Sequence, residues 1–162
     1  MEVVVVCDST FGNSARIADA IARGLEERVL TRIVTAAAAI EAPFRPPDLL
    51  LVGGPTQRHG LSPTLRAFLD RLPRGSLRGV RAAAFDTRYR MTALLSGSAA
   101  AQAVGHLRRT GCHLVMSPES FFMERDVPPM GGKRRHALER LEDGEVERAV
   151  EWGRRIAAEV LT

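Results

Sequence analysis

Near its start the chain carries an uninterrupted apolar run, Val3-Val4-Val5-Val6-Cys7, with no polar residue at alternate positions. A strand with one wet face alternates, whereas one covered on both faces does not, so this run predicts a central strand of a parallel sheet. The polar turn Asp8 to Ser14 follows it. From Ser14 to Arg28 the apolar side chains Ile17, Ala18, Ile21, Ala22 and Leu25 recur at helical spacing, with Arg16, Asp19, Arg23 and Glu26 elsewhere on the wheel. That pattern predicts an amphipathic helix and completes a first strand-turn-helix unit.

The pattern then repeats. Thr31 to Thr35 reads as a second strand and Asp48 to Val52 as a third, which stops at Gly53-Gly54-Pro55; the proline-rich stretch Ala42 to Pro47 between them is loop. Ser62 can cap a helix with Pro63 in its first turn, running to about Leu72. Gly79 to Phe85 predicts a fourth strand, Ser98 to about Arg109 a helix ended by Gly111, and Cys112 to Met116 a fifth strand with a continuation at Ser120 to Met123. The last helix runs from about Glu145 to Leu161. Strands alternating with helices predict an α/β three-layer sandwich with right-handed crossovers, and five parallel strands favour the order 2-1-3-4-5.

Length changes this picture little: 162 residues, 45% of them hydrophobic, suit one domain with one sizeable core, read as spanning residues 1–162. No stretch approaches the roughly 18 consecutive apolar residues of a membrane span, and the first apolar run lacks a basic leader, so the expected location is cytoplasmic. The two cysteines, Cys7 and Cys112, lie in apolar runs without metal-site or thiol-redox spacing, and are expected to be buried and inert. A net charge of +4 raises the question of an acidic partner. The arginines are spread along the chain, as a GC-rich coding sequence would give, and 5% aromatic residues with no groove-reading motif argue against nucleic acid.

Candidate chemistry follows from topology. In an open α/β sheet a ligand binds beyond the carboxyl ends of the strands at the switch point, here between the first and third strands. The turn after the first strand offers hydroxyls at Ser9, Thr10 and Ser14, a carboxamide at Asn13, a flexible Gly12 and the amides of a helix N-terminus. Such a set can surround an anion with hydrogen bonds and a favourable dipole. It contains neither Lys nor Arg, which excludes a P-loop. Gly53-Gly54 at the end of the third strand excludes a phospho-accepting receiver domain, which needs an aspartate there.

The run Ser9-Thr10-Phe11-Gly12-Asn13-Ser14 resembles the phosphate loop of the flavodoxins, Ser/Thr-x-Thr-Gly-x-Ser/Thr directly after the first strand, with Phe11 standing where the family usually has threonine. Gly53-Gly54-Pro55-Thr56 and the closing helix from Gly144-Glu145 through Trp152-Gly153 to Arg155 extend the resemblance over nearly the whole chain. It implies a flavodoxin-like fold with FMN held non-covalently. The flavin ring is then expected between two loops: Pro55 to Leu61, with Pro55, Thr56, Gln57, His59 and Gly60, and Asp86 to Leu95, with Asp86, Thr87, Arg88 and Tyr89. Tyr89 is the chain's only tyrosine and the expected stacking partner; His59 or the stem of Arg58 is the other candidate ring cover.

Flavodoxins use acidic loops to disfavour the anionic reduced flavin, whereas here the corresponding loops carry Arg58, Arg88 and Arg90, which implies a higher potential. The leading function is electron transfer between protein partners, an acidic one included. An FMN-dependent quinone or protoporphyrinogen oxidoreductase and a cofactor-free binding module on the same fold remain as alternatives. The basic run Lys133-Arg134-Arg135-His136 reads as a solvated loop or a docking segment.

Overall fold

The computed structural model describes residues 1–10, 12–26, 28–91, 97–125 and 139–162; Phe11, Leu95 and the run Lys133 to His136 lie outside the described residues. Its elements are β1 (Val3–Cys7), α1 (Asn13–Glu26), β2 (Thr31–Thr35), α2 (Ala36–Glu41), β3 (Leu49–Pro55), α3 (Pro63–Arg71), β4 (Arg81–Tyr89), α4 (Ala99–Thr110), β5 (His113–Leu114), β6 (Glu119–Arg125), β7 (Glu139–Leu141) and α5 (Glu145–Leu161). The sheet runs β2-β1-β3-β4-β6-β7, and β5 pairs with β4 ahead of β6. All pairs are parallel except β6 with β7. The expected order therefore holds, with the fifth position filled by two segments and a short antiparallel strand added at the edge.

Covered on both faces, β1 is fully buried, and its alternate residues feed two cores. Val3, Val5, Leu49, Leu51 and Phe85 point to α1 and α5, where Phe85, Phe121 and Trp152 meet edge to face at ring-centroid distances of 6.1 to 6.4 Å. Val4, Val6, Leu50, Val52 and Ala82 point to α2, α3 and α4. Helices α1 and α5 cross at Gly24 and Gly153: a Cβ on Gly24 would stand 2.1 Å from the Val150 carbonyl oxygen, and one on Gly153 2.3 Å from that of Ile21.

The caps read from sequence are in place. Ser62 Oγ accepts from the Leu65 amide (3.3 Å), Ser98 Oγ accepts from the Ala101 amide (3.1 Å), and Gly111 ends α4 with a φ of 90°. Helix α2 is an addition: Thr35 accepts from the Ala38 amide and starts a run of four alanines, the best helix formers. Two strands depart from expectation. Strand β4 starts at Arg81, not Gly79, and continues through the polar run Asp86 to Tyr89 because β3 and β6 pair with it there. The fifth-strand reading Cys112 to Met116 shrinks to His113–Leu114, and the continuation becomes the longer strand β6.

Candidate functional site

A cavity of about 230 Å³ opens at the carboxyl edge of the sheet, lined from the turn after β1 and from α1, β3, β4, β6 and β7. Its walls include Ser9, Thr10, Asn13 and Ser14 from the first turn, Pro55, Thr56 and Gln57 from the end of β3, and Thr87 and Tyr89 from β4. Nine of the residues expected from sequence thus meet at the switch point.

Gly12, with a φ of 83°, lets the chain turn from β1 into α1; no heavy atom would lie within 4 Å of a Cβ there. Ser9 Oγ accepts from the amides of Gly12 (3.1 Å) and Ala15 (3.2 Å), and the Arg16 amide bonds the Gly12 carbonyl. Among the described residues the amides of Asn13 and Ser14 have no acceptor. Two aligned donors at the positive end of α1 therefore remain for an anion. Ser14 Oγ and Thr87 Oγ1 share a buried hydrogen bond of 2.6 Å, Asn13 Nδ2 donates to the Glu139 carbonyl (3.2 Å), and Gln57 Nε2 donates to Thr10 Oγ1 (3.1 Å), tying the walls together.

Strand periodicity divides the second expected loop. Side chains of successive strand residues point to opposite faces, so Thr87 and Tyr89 face the cavity while Asp86 and Arg88 face away. Asp86, placed by the sequence reading at the cofactor, is instead fully buried. Its Oδ2 accepts from Thr56 Oγ1 (3.1 Å), Ser98 Oγ (2.7 Å) and the Ala100 amide (3.0 Å), which fixes the start of α4 against β3 and β4. Arg88 Nε donates to Ser120 Oγ (3.0 Å) and lies 3.9 Å from Asp86 Oδ1.

The turn Gln57–Gly60 also differs from expectation. Gln57 and Gly60 exchange backbone hydrogen bonds of 2.8 and 2.9 Å, and Arg58 and His59 take the left-handed φ values 45° and 71° of a two-residue primed turn. Such turns favour Asn-Gly, and two larger residues there carry strain. Arg58 and His59 are exposed at its tip, and neither they nor Gly60 line the cavity. Arg90 is likewise turned away: it pairs with Glu142 (2.9 Å) and lies over Phe122.

Three wall residues escaped the sequence reading: Met123, Arg125 and Glu139. Extending the alternation Phe121, Met123 by one step would have found Arg125; Glu139 on β7 carried no comparable signal. The Arg125 guanidinium lies 4.7 Å from the Tyr89 ring centroid and 3.9 Å from Glu139. Among the described residues Arg125 is therefore the cation that lines the cavity, and Arg58, Arg88 and Arg90 do not. The Tyr89 hydroxyl is buried with no hydrogen-bond partner among the described residues. Burial, and after it the neighbouring Glu139, raises its pKa against the opposing influence of Arg125. Cys7 is buried under this edge, as expected, with its thiol pushed up to about 12 by burial and by Asp8 and Asp19; Cys112 is only half-buried, short of the expectation, and burial raises it too.

Among the described residues no cluster of three metal-ligating side chains occurs, and no helix is long and apolar enough to cross a membrane. Neither family models nor curated protein sequences give a match to the chain. Solved structures do. An archaeal flavodoxin is 20% identical, with full coverage of both chains and a TM-score of 0.66. Flavodoxin 2 of Bacillus cereus is 17% identical with a TM-score of 0.71, covering 98% of this chain and 99% of its own. The flavodiiron protein of Giardia intestinalis matches over 99% of this chain and 36% of its own, at 18% identity and a TM-score of 0.69. With the strand order, the switch-point cavity and these likenesses over the full chain, the protein has the flavodoxin fold.

Proposed function

We propose that the protein is an electron carrier that binds FMN at the switch-point cavity. The observation that carries this reading is the donor set that has no partner among the described residues: the Asn13 and Ser14 amides at the start of α1 and the buried hydroxyl of Tyr89. Dipoles can hold a phosphate without a cationic side chain. When bound, FMN supplies one-electron exchange; the chain binds, orients and tunes it.

In this reading Ser9, Thr10, Asn13 and Ser14 surround the phosphate, and Pro55 to Gln57 with Thr87 and Tyr89 flank the ring. Arg125 sets the sign of the local field. A unit charge pair a few Å apart at an effective dielectric of about 20 is worth on the order of a few kcal/mol before screening. Glu139, 3.9 Å from Arg125, offsets part of that. The reduction potential should therefore exceed that of a site walled by carboxylates, and Arg125→Gln should lower it.

The test is a titration of the purified protein with FMN, followed by absorbance and by quenching of flavin fluorescence. Micromolar or tighter binding is expected. Gly12→Asp should abolish it, because a carboxylate then stands at the phosphate position on a left-handed residue. Absence of binding by the unaltered chain would refute the reading and leave a cofactor-free module on this fold.

A further inference from the structure

The net charge of +4 is not spread over the molecule. Residues 56–80 and 97–111, which form the α3–α4 layer, hold seven arginines and a single carboxylate, Asp70, whereas the rest of the chain holds 16 basic and 18 acidic side chains. The arginines reach from Arg58 and Arg66 near the cofactor edge to Arg74 and Arg78 at the far end, with Arg108 and Arg109 on α4. All are exposed except the half-buried Arg109. Among the described residues none of the seven lies within ion-pair distance of a carboxylate, and Asp70 is taken by His106 at 3.2 Å. Elsewhere Arg90, Arg125, Arg140 and Arg148 each have one, and Arg16, Arg23 and Arg155, which have none among the described residues, share their helices α1 and α5 with several carboxylates.

These side chains are also positioned. Arg66 Nη2 donates to Gln102 Oε1 (3.1 Å), and Arg109 Nη2 donates to the carbonyls of Leu69 (3.0 Å) and Leu72 (3.2 Å), so both are fixed across the seam between α3 and α4. A groove of about 410 Å³ follows that seam, with Gly105 in its wall. It adjoins a cleft of about 460 Å³ lined by Gln57, Arg58 and Arg66, and Gln57 also lines the candidate cofactor cavity. A continuous basic track thus ends at the site where electrons would enter or leave.

We propose that the α3–α4 face docks an acidic protein surface. Like charges held together without counter-ions repel one another, and a facing row of carboxylates removes that repulsion, steers encounter and fixes register. The planar guanidinium forks suit carboxylates in paired contacts. No large apolar or aromatic side chain is exposed on this face among the described residues, so the stacking platform of a single-strand nucleic-acid binder is missing. That the docked protein is a redox partner rests on the electron-carrier reading; the charge of the face does not.

The test is an amide NMR titration with poly-L-glutamate at low salt, with and without FMN, alongside a short DNA duplex. Shifts are expected at Gln57 to Leu61, Arg66 and Gln102 to Arg109, and should fade as salt is added. The double variant Arg58→Glu, Arg66→Glu should weaken binding about tenfold, while Arg23→Glu, Arg155→Glu on the opposite layer leaves it unchanged. Equal weakening by both pairs, or tighter binding of DNA through the same residues, would overturn the proposal. Should FMN fail to bind while these shifts persist, the docking surface stands and the carrier reading falls.

Discussion

The two sides of the sheet solve the same problem of burial and handle charge in opposite ways. Toward α1 and α5 the core is built around three aromatic rings, and the arginines above it share their helices with carboxylates such as Asp19, Glu26, Glu147, Glu151 and Glu159, some of them in ion pairs. Arg148 lies against Glu119 and 2.6 Å from Glu145, and stacks over Phe121. Toward α3 and α4 the core is mostly Leu, Val and Ala around Phe68, and the arginines above it have no carboxylate partner among the described residues. The first arrangement turns charge inward to hold an edge together. The second leaves charge available, which is what recognition of another molecule requires.

The comparison can be broken most directly at Trp152. Truncation by Trp152→Ala should cost about 4 kcal/mol, read as a fall in the urea midpoint, because the rings of Phe85 and Phe121 lose their common neighbour. A change below about 1 kcal/mol would mean that the aromatic side does not anchor the fold.

Glu145 gives the next effect. Burial alone would raise its pKa, but the Arg148 guanidinium and the Phe122 amide, which donates to Oε2 at 2.7 Å, hold it below the ordinary value of 4.5. Because the folded value is the lower one, the contribution to stability is present above the unfolded pKa and is lost as pH falls through the folded pKa. Unfolding measured at a series of pH values should therefore show stability declining below about pH 4.5. Glu145→Gln should flatten that decline, and an unchanged slope in the variant would place the acid sensitivity elsewhere.

The smallest effect belongs to the other side. Arg66→Glu should change unfolding free energy by no more than about 0.5 kcal/mol, since an exposed arginine without a carboxylate partner contributes little to stability. A loss as large as that at Trp152 would make the arginines structural and erase the contrast.

Most of the fold was legible from local signals. The unbroken run Val3 to Cys7, the caps at Ser62 and Ser98, and the stop at Gly111 are each decided by neighbours in sequence, and the structure has them where expected. The run Asp86 to Tyr89 was not, because polar residues in succession read as loop until pairing with β3 and β6 makes them strand. That one difference moved Asp86 and Arg88 off the candidate site. Strand β7 depends on antiparallel pairing with β6, so Glu139 could not be placed from sequence. The arginine face was invisible for the same reason: α3 and α4 are adjacent only after a strand has passed between them.

Asp86 gives the site a fixed origin. A single carboxylate oxygen collects donors from the end of β3, from the cap of α4 and from the first turn of that helix. The loops around it can change length or composition while the cavity wall keeps its dimensions, since distance is measured from an atom in the sheet and not from the loops. Variation among descendants of this chain is accordingly free to alter what the rim contacts without disturbing what the cavity holds.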